Sequence, residues 1–438
     1  MRKSCLVSSF LAHHSFHIVT IILSSSTSFK MSTLFFSDLN VYCLMQMFEY
    51  LPLCDQVRLT RVNRLFGELL QVQLHQRTEL TINEKLVNNG QFSANICDTL
   101  SVFNYLPNLK QLTWSRVPLT VEVANWIYKS CPQLVELNLF DCNDTSGLVH
   151  LVTRINTIQK LNLKSVYKAD AVQSVLNCSQ LEHFETNLTN CADLIALRGY
   201  RLKSIILNGN VLNDQPTINA IAQCTNLEVL RINAKFPISV EHLTKLANSL
   251  RNLNTIELTV TSSDLITLAT IPKLNSANLR FSLGDTKQPT TQKLLHFLSK
   301  ANLSSLQLRN CDLCCDLLQC NLRPILKLRS LSIDFKESSL DDNNVLFFEQ
   351  CPNLRKLRLV TSRLSPIGLI HLLRCCTKLR QLTIANSKLL KVESSKTAEV
   401  LRSYALKYPK RRIIATVSSD YIDTKVLKPF NLSLFNCE

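Results

Sequence analysis

The feature that most constrains this fold is an apolar pattern that recurs along most of the chain. A leucine-type residue opens each copy, and apolar residues follow three and five positions later, which gives the pattern L-x-x-L-x-L. One copy is a short strand, a turn and a helical return, which cannot cover its apolar face alone, so the copies must stack. Intervals of 21 to 29 residues separate the opening positions, which are Leu109, Leu134, Ile158, Leu181, Leu202, Leu227, Leu253, Leu274, Leu303, Leu328, Leu354 and Leu379.

This spacing is typical of leucine-rich repeats. It predicts an α/β solenoid of about twelve repeats over residues 109–405, in which parallel strands form a curved sheet and helices cover its convex side. Residues 131–151 illustrate one unit, with Leu148 and Leu151 returning over the core. The predicted buried strand pairs are Leu112/Trp114, Leu137/Leu139, Leu161/Leu163, Phe184/Thr186, Ile205/Leu207, Leu230/Ile232, Ile256/Leu258, Ala277/Leu279, Leu306/Leu308, Leu331/Ile333, Leu357/Leu359 and Leu382/Ile384.

Composition excludes several classes of enzyme. The chain has seven glycines and none forms G-x-G, so glycine-rich phosphate loops are absent, as are the G-x-S-x-G and H-E-x-x-H motifs. We therefore expect no catalytic residue and no cofactor. A net charge of +16 favours long-range attraction to acidic partners.

The seventeen cysteines indicate reduced thiols, because an odd number is scattered through a long chain. Five of them precede an opening leucine by three residues, which predicts small buried packing residues and favours the cytoplasm or nucleus; they are Cys131, Cys178, Cys224, Cys351 and Cys376. The group Cys311, Cys314, Cys315 and Cys320 could form half of a zinc site. The repeat frame instead assigns Cys311 to a turn and the others to a helix, so we predict no metal site.

Residues 1–30 differ from the rest of the chain, since they are basic, serine-rich and free of acidic residues. Three interpretations stay open: a secretory signal, a mitochondrial transit peptide, or an extension upstream of a start at Met31. This segment contains two apolar runs, and each is too short to span a bilayer. His13, His14 and His17 are a weak metal pattern, and an unstructured leader explains them better.

Residues 34–75 predict a small helical module. Leu44, Met47, Phe48 and Leu51 have helical spacing, and Pro52 ends that helix. Asp55 is expected to cap a second helix that continues towards Phe66. So short a segment forms a poor core alone, so it either caps the repeats or docks on a partner.

The motifs MFEYLPLCD (residues 47–55) and VNRLF (62–66) resemble an F-box. The chain departs from that pattern with Asn40 and Tyr42 near the start and with Phe66 in place of a tryptophan. The resemblance implies docking on the Skp-type adaptor of a cullin-RING ubiquitin ligase. The residues that would contact the adaptor are Leu44, Met47, Phe48, Leu51, Leu53, Leu59, Val62 and Phe66. The Cys-Pro-x-Leu openings at Cys131 and Cys351, with Cys142 and Cys311, resemble the cysteine-containing repeats of F-box leucine-rich proteins.

Target binding is expected on the strand positions that point away from the core, where neighbouring strands align them in rows. Seven basic residues there are interrupted by four acidic ones, which are Glu136, Glu185, Glu257 and Asp334. This mixture argues against nucleic acid. The candidates for target contact are Glu136, Asn138, Phe140, Lys160, Asn162, Lys164, Arg231, Arg280, Arg309, Lys356 and Arg358.

The ends of the array are less regular. Residues 76–108 form a transitional segment in which Leu80 to Ile82 could be a first strand, and residues 406–438 form a cap and tail. The run KYPKRR (407–412) resembles a nuclear-import signal, but we favour a polar cap followed by a strand near Ile414 and Val417.

Substrate recognition for a ubiquitin ligase is the function that the F-box resemblance implies, and it requires no bond chemistry from this chain. Two alternatives stay open. One is a leucine-rich scaffold or binding protein with no ligase link, and the other is a mitochondrial leucine-rich assembly factor.

Overall fold

A computed structural model describes residues 40–84, 102–142, 146–164, 178–187, 199–208, 215–282, 291–311, 325–335, 340–360, 363–385 and 414–417, with a few single residues between them. Its contacts divide the chain into residues 1–73 and residues 74–438. Several sequence predictions concern positions outside the described residues: the leader 1–30 with His13, His14 and His17; Cys314, Cys315 and Cys320; and the run 407–412.

The first unit contains α1 (Val41–Glu49), α2 (Leu53–Leu59) and the start of α3 (Arg64–His75). Asn40 caps α1 by accepting a hydrogen bond from the backbone N–H of Tyr42 at 2.9 Å. The prediction that Asp55 caps α2 is wrong, because Pro52 is the N-cap residue and Asp55 lies in the first turn. Proline suits that place because it fixes φ and supplies no N–H that would need a partner. Asp55 instead forms an ion pair with Arg58 at 3.3 Å.

The second unit is built on one parallel sheet, whose fourteen described strands follow the order of the chain. These strands are β1 (Glu79–Asn83), β2 (Gln111–Ser115), β3 (Glu136–Phe140), β4 (Lys160–Lys164), β5 (His183–Thr186), β6 (Ser204–Asn208), β7 (Val229–Asn233), β8 (Thr255–Val260), β9 (Ser276–Phe281), β10 (Ser305–Cys311), β11 (Ser330–Phe335), β12 (Lys356–Val360), β13 (Gln381–Ala385) and β14 (Ile414–Val417).

Helical segments connect many of these strands, and several begin at the hydroxyl caps that helices favour. Thr120, Ser239 and Ser365 each accept a hydrogen bond from a backbone N–H of the first turn. The described α-helices of this unit are α4 (Val121–Ser130), α5 (Ser146–Arg154), α6 (Gln215–Ala222), α7 (Val240–Ser249), α8 (Asp264–Leu268), α9 (Thr291–Lys300) and α10 (Pro366–Cys375), with 3₁₀ helices at Val102–Tyr105 and Asp342–Gln350.

The repeat register places every predicted opening leucine-type residue and every predicted strand pair in the core. Leu137, for example, is fully buried and aligns with Leu112 on one side and Leu161 on the other. Burying one such side chain stabilises the fold by about 1.5–3 kcal/mol. The predicted return of Leu148 and Leu151 over the core is confirmed, since both are buried on α5.

Close packing between repeats also requires a glycine at position 147. The N–H of Gly147 donates to the carbonyl of Leu119 at 2.8 Å. A Cβ at this position would lie 2.3 Å from the carbonyl oxygen of Thr120, so only glycine allows α5 to approach so closely.

The sheet extends beyond the twelve predicted repeats at both ends. Residues 79–83 pair with β2 in the regular register, and residues 414–417 pair with β13. Cys311 was expected in a turn but is the last residue of β10, where the pairing with β11 shifts between Arg309 and Cys311. Asn310 absorbs this irregularity with a positive φ of 55°, which asparagine tolerates better than most residues.

Candidate protein-interaction surfaces

The helical module has a small core of its own. Leu44, Phe48, Phe66 and Leu70 are buried together, and the rings of Phe48 and Phe66 meet edge to face with centroids 5.2 Å apart. Phe66, which stands where the F-box pattern has a tryptophan, therefore serves as a packing residue. Aromatic pairs of this geometry add about 0.5–1.5 kcal/mol beyond the area that they bury.

The eight residues that the sequence predicts as adaptor contacts differ in their solvent exposure. Leu44, Phe48, Phe66 and Leu53 are buried, so they support the module from inside. Leu51 and Leu59 are partly buried against that core. The two that reach the surface are Met47, 44% exposed, and Val62, 59% exposed.

Other exposed apolar and aromatic residues of the module were not among the sequence candidates, including Val41 and Val72. Tyr50 is 82% exposed and lies three residues after Met47, and Leu65 lies three residues after Val62. Met47 lies on α1 and Tyr50 directly follows that helix, so the spacing of three residues could have found Tyr50, whereas Val62 lies in the turn before α3. Tyr42 is also exposed. The helical module therefore exposes several aromatic and apolar side chains, among them Met47, Tyr50, Val62 and Leu65.

The second candidate surface is the open face of the sheet, which we define as the alternate strand positions that point away from the buried leucines. On β3 and β4 its charges are paired. Lys160 Nζ lies 3.4 Å from Glu136 Oε2, and Asn138 donates to Glu136 Oε1 at 3.0 Å. Phe140, expected as an exposed anchor, is half-buried, whereas Lys164 is exposed.

A chain of amides continues across the middle strands. Asn162 and Asn208 each donate to a different oxygen of Glu185 at 3.0 Å. Asn233 then donates to Asn208 Oδ1 at 2.6 Å. Arg231, on β7, faces Glu257 on β8 with Nε and Oε2 3.8 Å apart. Glu185 and Glu257 therefore belong to a polar network that crosses the strands. The sequence shows these charges but not their pairing.

The open face changes character from β9 onward. Arg280, Arg309, Lys356 and Arg358 lie there, and none is within 4.0 Å of a carboxylate among the described residues. Arg309 contacts the side-chain amide of Gln307 on its own strand. These four target-contact candidates outnumber the one acidic residue on the open face of β9 to β12, Asp334, which aligns with Arg309.

An asparagine ladder at the entry to the strands was missed by the sequence reasoning. Four asparagines that precede an opening leucine donate a side-chain hydrogen bond to a carbonyl of an earlier turn, at 2.7 to 3.0 Å. They are Asn108, Asn226, Asn252 and Asn353. Their common position before the repeat leucine was the available signal. The ladder links successive repeats, so it is structural.

The predicted role of the cysteines as buried packing residues is confirmed. Cys131, Cys178, Cys224, Cys351 and Cys376 are buried and form no disulfide with the described residues. Burial raises the pKa of Cys131, Cys224 and Cys351 to about 12. Such thiols stay protonated at neutral pH and are poor nucleophiles.

On the open face, burial, together with the neighbouring Lys160, lowers the pKa of His183. Over the residues that the structure describes, no three His, Cys, Asp or Glu side chains gather as metal ligands would. The helices in these ranges also include none that combines the length and apolar content needed to cross a membrane.

Comparisons with known proteins identify the fold but not the function. No family model matches the chain, and no curated protein matches its sequence. A chain in the crystal structure of the Rad7 and Elc1 complex of yeast is 17% identical with a TM-score of 0.54, over 90% of this chain and 94% of that one.

Two bacterial structures are more distant. An internalin of Listeria monocytogenes is 14% identical with a TM-score of 0.43, over 74% of this chain and 89% of that one. A leucine-rich repeat protein of Leptospira interrogans is 15% identical with a TM-score of 0.31, over 71% and 91%. The recurring strand register, the buried leucines and the yeast likeness agree on the fold: residues 79–417 contain a leucine-rich repeat solenoid with a parallel sheet.

Proposed function

We propose that this chain is the substrate-recognition subunit of an SCF-type cullin-RING ubiquitin ligase. Residues 34–75 would bind the Skp-type adaptor as an F-box, and residues 109–405 would hold a target protein on the open face of the sheet. The observation that carries the proposal is the surface of the helical module, where Met47, Tyr50, Val62 and Leu65 stay exposed outside a complete small core. Exposed apolar side chains that adjoin one another are typical of docking sites.

The sequence supports the same assignment. The motifs at 47–55 and 62–66 that resemble an F-box coincide with α1, α2 and the start of α3. The yeast neighbour was crystallised as a complex of Rad7 with Elc1, so one solved chain with this fold belongs to a two-protein assembly.

The mechanism would be proximity. The chain would contribute no reacting group, and it would hold a target lysine near the activated ubiquitin by binding adaptor and target at once. Tethering raises the effective concentration of the lysine to the millimolar range for short flexible links. Orientation of the two reactants lowers the barrier further.

A scaffold with no ligase link is the second candidate. The departures from the F-box pattern at Asn40 and Tyr42 favour it, since Asn40 serves as the N-cap of α1 and Tyr42 is exposed rather than part of the core. In that case the helices would only cap the repeats, and no adaptor would bind them.

Co-purification of the full chain with the Skp-type adaptor separates these candidates. We expect the wild-type chain to capture the adaptor and the double variant Met47→Glu with Val62→Glu to lose capture, because it charges an apolar contact surface. Both side chains are exposed, so folding is retained. Val149→Glu is the matched control, since Val149 is exposed to a similar degree on α5. Failure of the folded wild-type chain to capture the adaptor would reject the ligase proposal.

A further inference from the structure

The charges of the open face are distributed in two different ways. Across β3 to β8, two of the three lysine and arginine residues face acidic neighbours, Lys160 with Glu136 and Arg231 with Glu257. Across β9 to β12, four basic residues accompany a single acidic one, Asp334. Asp334 aligns with Arg309 in the register of β10 and β11 but forms no ion pair within 4.0 Å among the described residues. This half of the face therefore carries a net positive potential that a ligand could use.

The space between these cations is open. Ser276, Ser305 and Ser330 occupy one register row, so three neighbouring strands present only small hydroxyl side chains there. A hollow of about 700 Å³ lies over β10 to β13, and its lining includes three cations, Arg309, Lys356 and Arg358, together with Ser332 and one acid, Asp334. Small hydroxyls can donate hydrogen bonds to a ligand without filling the space above the sheet.

The arrangement of the cations selects the kind of anion. Strands are about 4.8 Å apart, so β9 to β12 spread these charges over roughly 14 Å. One phosphate group is held by donors that converge on a single point, as in a bidentate arginine contact. Here Arg280 and Arg309 align on β9 and β10, and Lys356 and Arg358 lie two residues apart on β12, so the cations do not converge on one point. Carboxylates on alternate residues of an extended peptide repeat about every 6.7 Å, which is the spacing of the two cations on β12.

Nucleic acid fits this surface less well. Single strands are held by aromatic side chains on which the bases stack, in addition to basic residues. The open-face positions of β9 to β12 carry serine, asparagine, glutamine, arginine, lysine, aspartate and valine, and no aromatic residue.

We propose that the open face of β9 to β12 binds an extended segment rich in aspartate and glutamate on the target protein. Arg280, Arg309, Lys356 and Arg358 would pair with its carboxylates, and the serine row would bind its polar groups. This inference rests on the proposed function in one respect, namely that the open face is where the target binds.

Fluorescence anisotropy with the full chain tests this proposal. The probe is a fluorescein-labelled peptide of alternating glutamate and serine, measured beside a phosphoserine–alanine peptide and oligothymidylate. We expect the glutamate peptide to bind the wild-type chain and Arg280→Glu with Arg358→Glu to weaken it about tenfold or more, because like charges then face each other. Both arginines are exposed, and circular dichroism checks that the variant is folded.

The matched control is Arg355→Glu with Arg380→Glu. These arginines are also exposed, and the two substitutions change the net charge by the same amount. They precede β12 and β13 rather than lying on the open face. We expect this control to stay within about threefold of wild type. Equal losses in both double variants would overturn the proposal, as would tighter binding of oligothymidylate or binding of the phosphoserine peptide alone.

Adaptor capture by the same proteins separates the two proposals. A wild-type chain that captures the adaptor but does not bind the glutamate peptide would overturn this inference alone. A chain that binds the peptide through Arg280 and Arg358 but captures no adaptor would overturn the ligase proposal and support the inference.

Discussion

The side-chain amide of Gln56 donates a hydrogen bond to the backbone carbonyl of Phe48 at 2.8 Å, and a second one to that of Leu51 at 2.9 Å. Gln56 is only 1% exposed, so these hydrogen bonds hold the carboxyl end of α1 against α2 in the interior of the module. The carbonyls at a helix end have no partner within the helix, and a buried donor from outside satisfies them. This contact positions Met47 and Tyr50 on the neighbouring surface.

Gln56→Ala should loosen the helical module. The substitution removes a buried donor, which costs about 1–3 kcal/mol. We expect amide hydrogen exchange in α1 and α2 to become roughly five- to 150-fold faster, as measured by mass spectrometry. Gln46→Ala is the control, because Gln46 is exposed on α1. Unchanged exchange in Gln56→Ala would show that the contact does not hold the module together.

The asparagine ladder should contribute to the stability of the repeats. Asn353 donates to the carbonyl of Leu326 at 2.7 Å and accepts from Lys378 Nζ at 2.5 Å. We expect Asn353→Ala to lower the free energy of unfolding by about 0.5–1.5 kcal/mol in a urea titration. Asn302→Ala is a close control, since Asn302 also precedes a repeat leucine but forms no side-chain hydrogen bond with the described residues. Similar losses in both variants would argue against the ladder.

The buried thiols should resist alkylation. With a pKa of about 12, Cys131, Cys224 and Cys351 are thiolate in about one molecule in ten thousand at pH 8. Cys43 is exposed on α1. We therefore expect iodoacetamide to modify Cys43 in the native chain and to leave the three buried thiols unmodified, as mapped by peptide mass spectrometry. Rapid native modification of Cys351 would contradict its burial.

The same thiols predict how stability depends on pH. Their folded pKa is raised above the unfolded value of about 8.5, so the unfolded chain ionises first as the pH rises. The stabilisation is complete below about pH 8.5 and falls as the pH increases towards 12. Urea midpoints at pH 7.5 and pH 10 should therefore differ less in Cys351→Ala than in the wild type. An equal difference in both would reject this contribution of Cys351.

The periodic part of the fold could be predicted from the sequence because each repeat buries the same positions. The register that aligns Leu137 with Leu112 and Leu161 follows from the leucine spacing alone. The cap of α2 was misjudged, because Asp55 is a common cap residue, whereas the actual N-cap, Pro52, starts the helix three residues earlier.

The functional surfaces were harder to predict because they depend on neighbours from other repeats. Glu185 looks like an isolated acid in the sequence, yet it accepts from Asn162 and Asn208 on the strands to either side. In the helical module, apolar spacing identified the surface residue Met47 and the core residue Phe48 alike. Their separation required the packing of Phe48 on Phe66.

Hydrogen exchange of the full chain with and without the Skp-type adaptor tests the central proposal most directly. We predict slower exchange in α1 and α2 when the adaptor is added at saturating concentration, with no change in β3 and β4. Exchange that stays the same in both helices, or protection confined to the strands of the repeats, would contradict the assignment of the helical module as the adaptor-binding site.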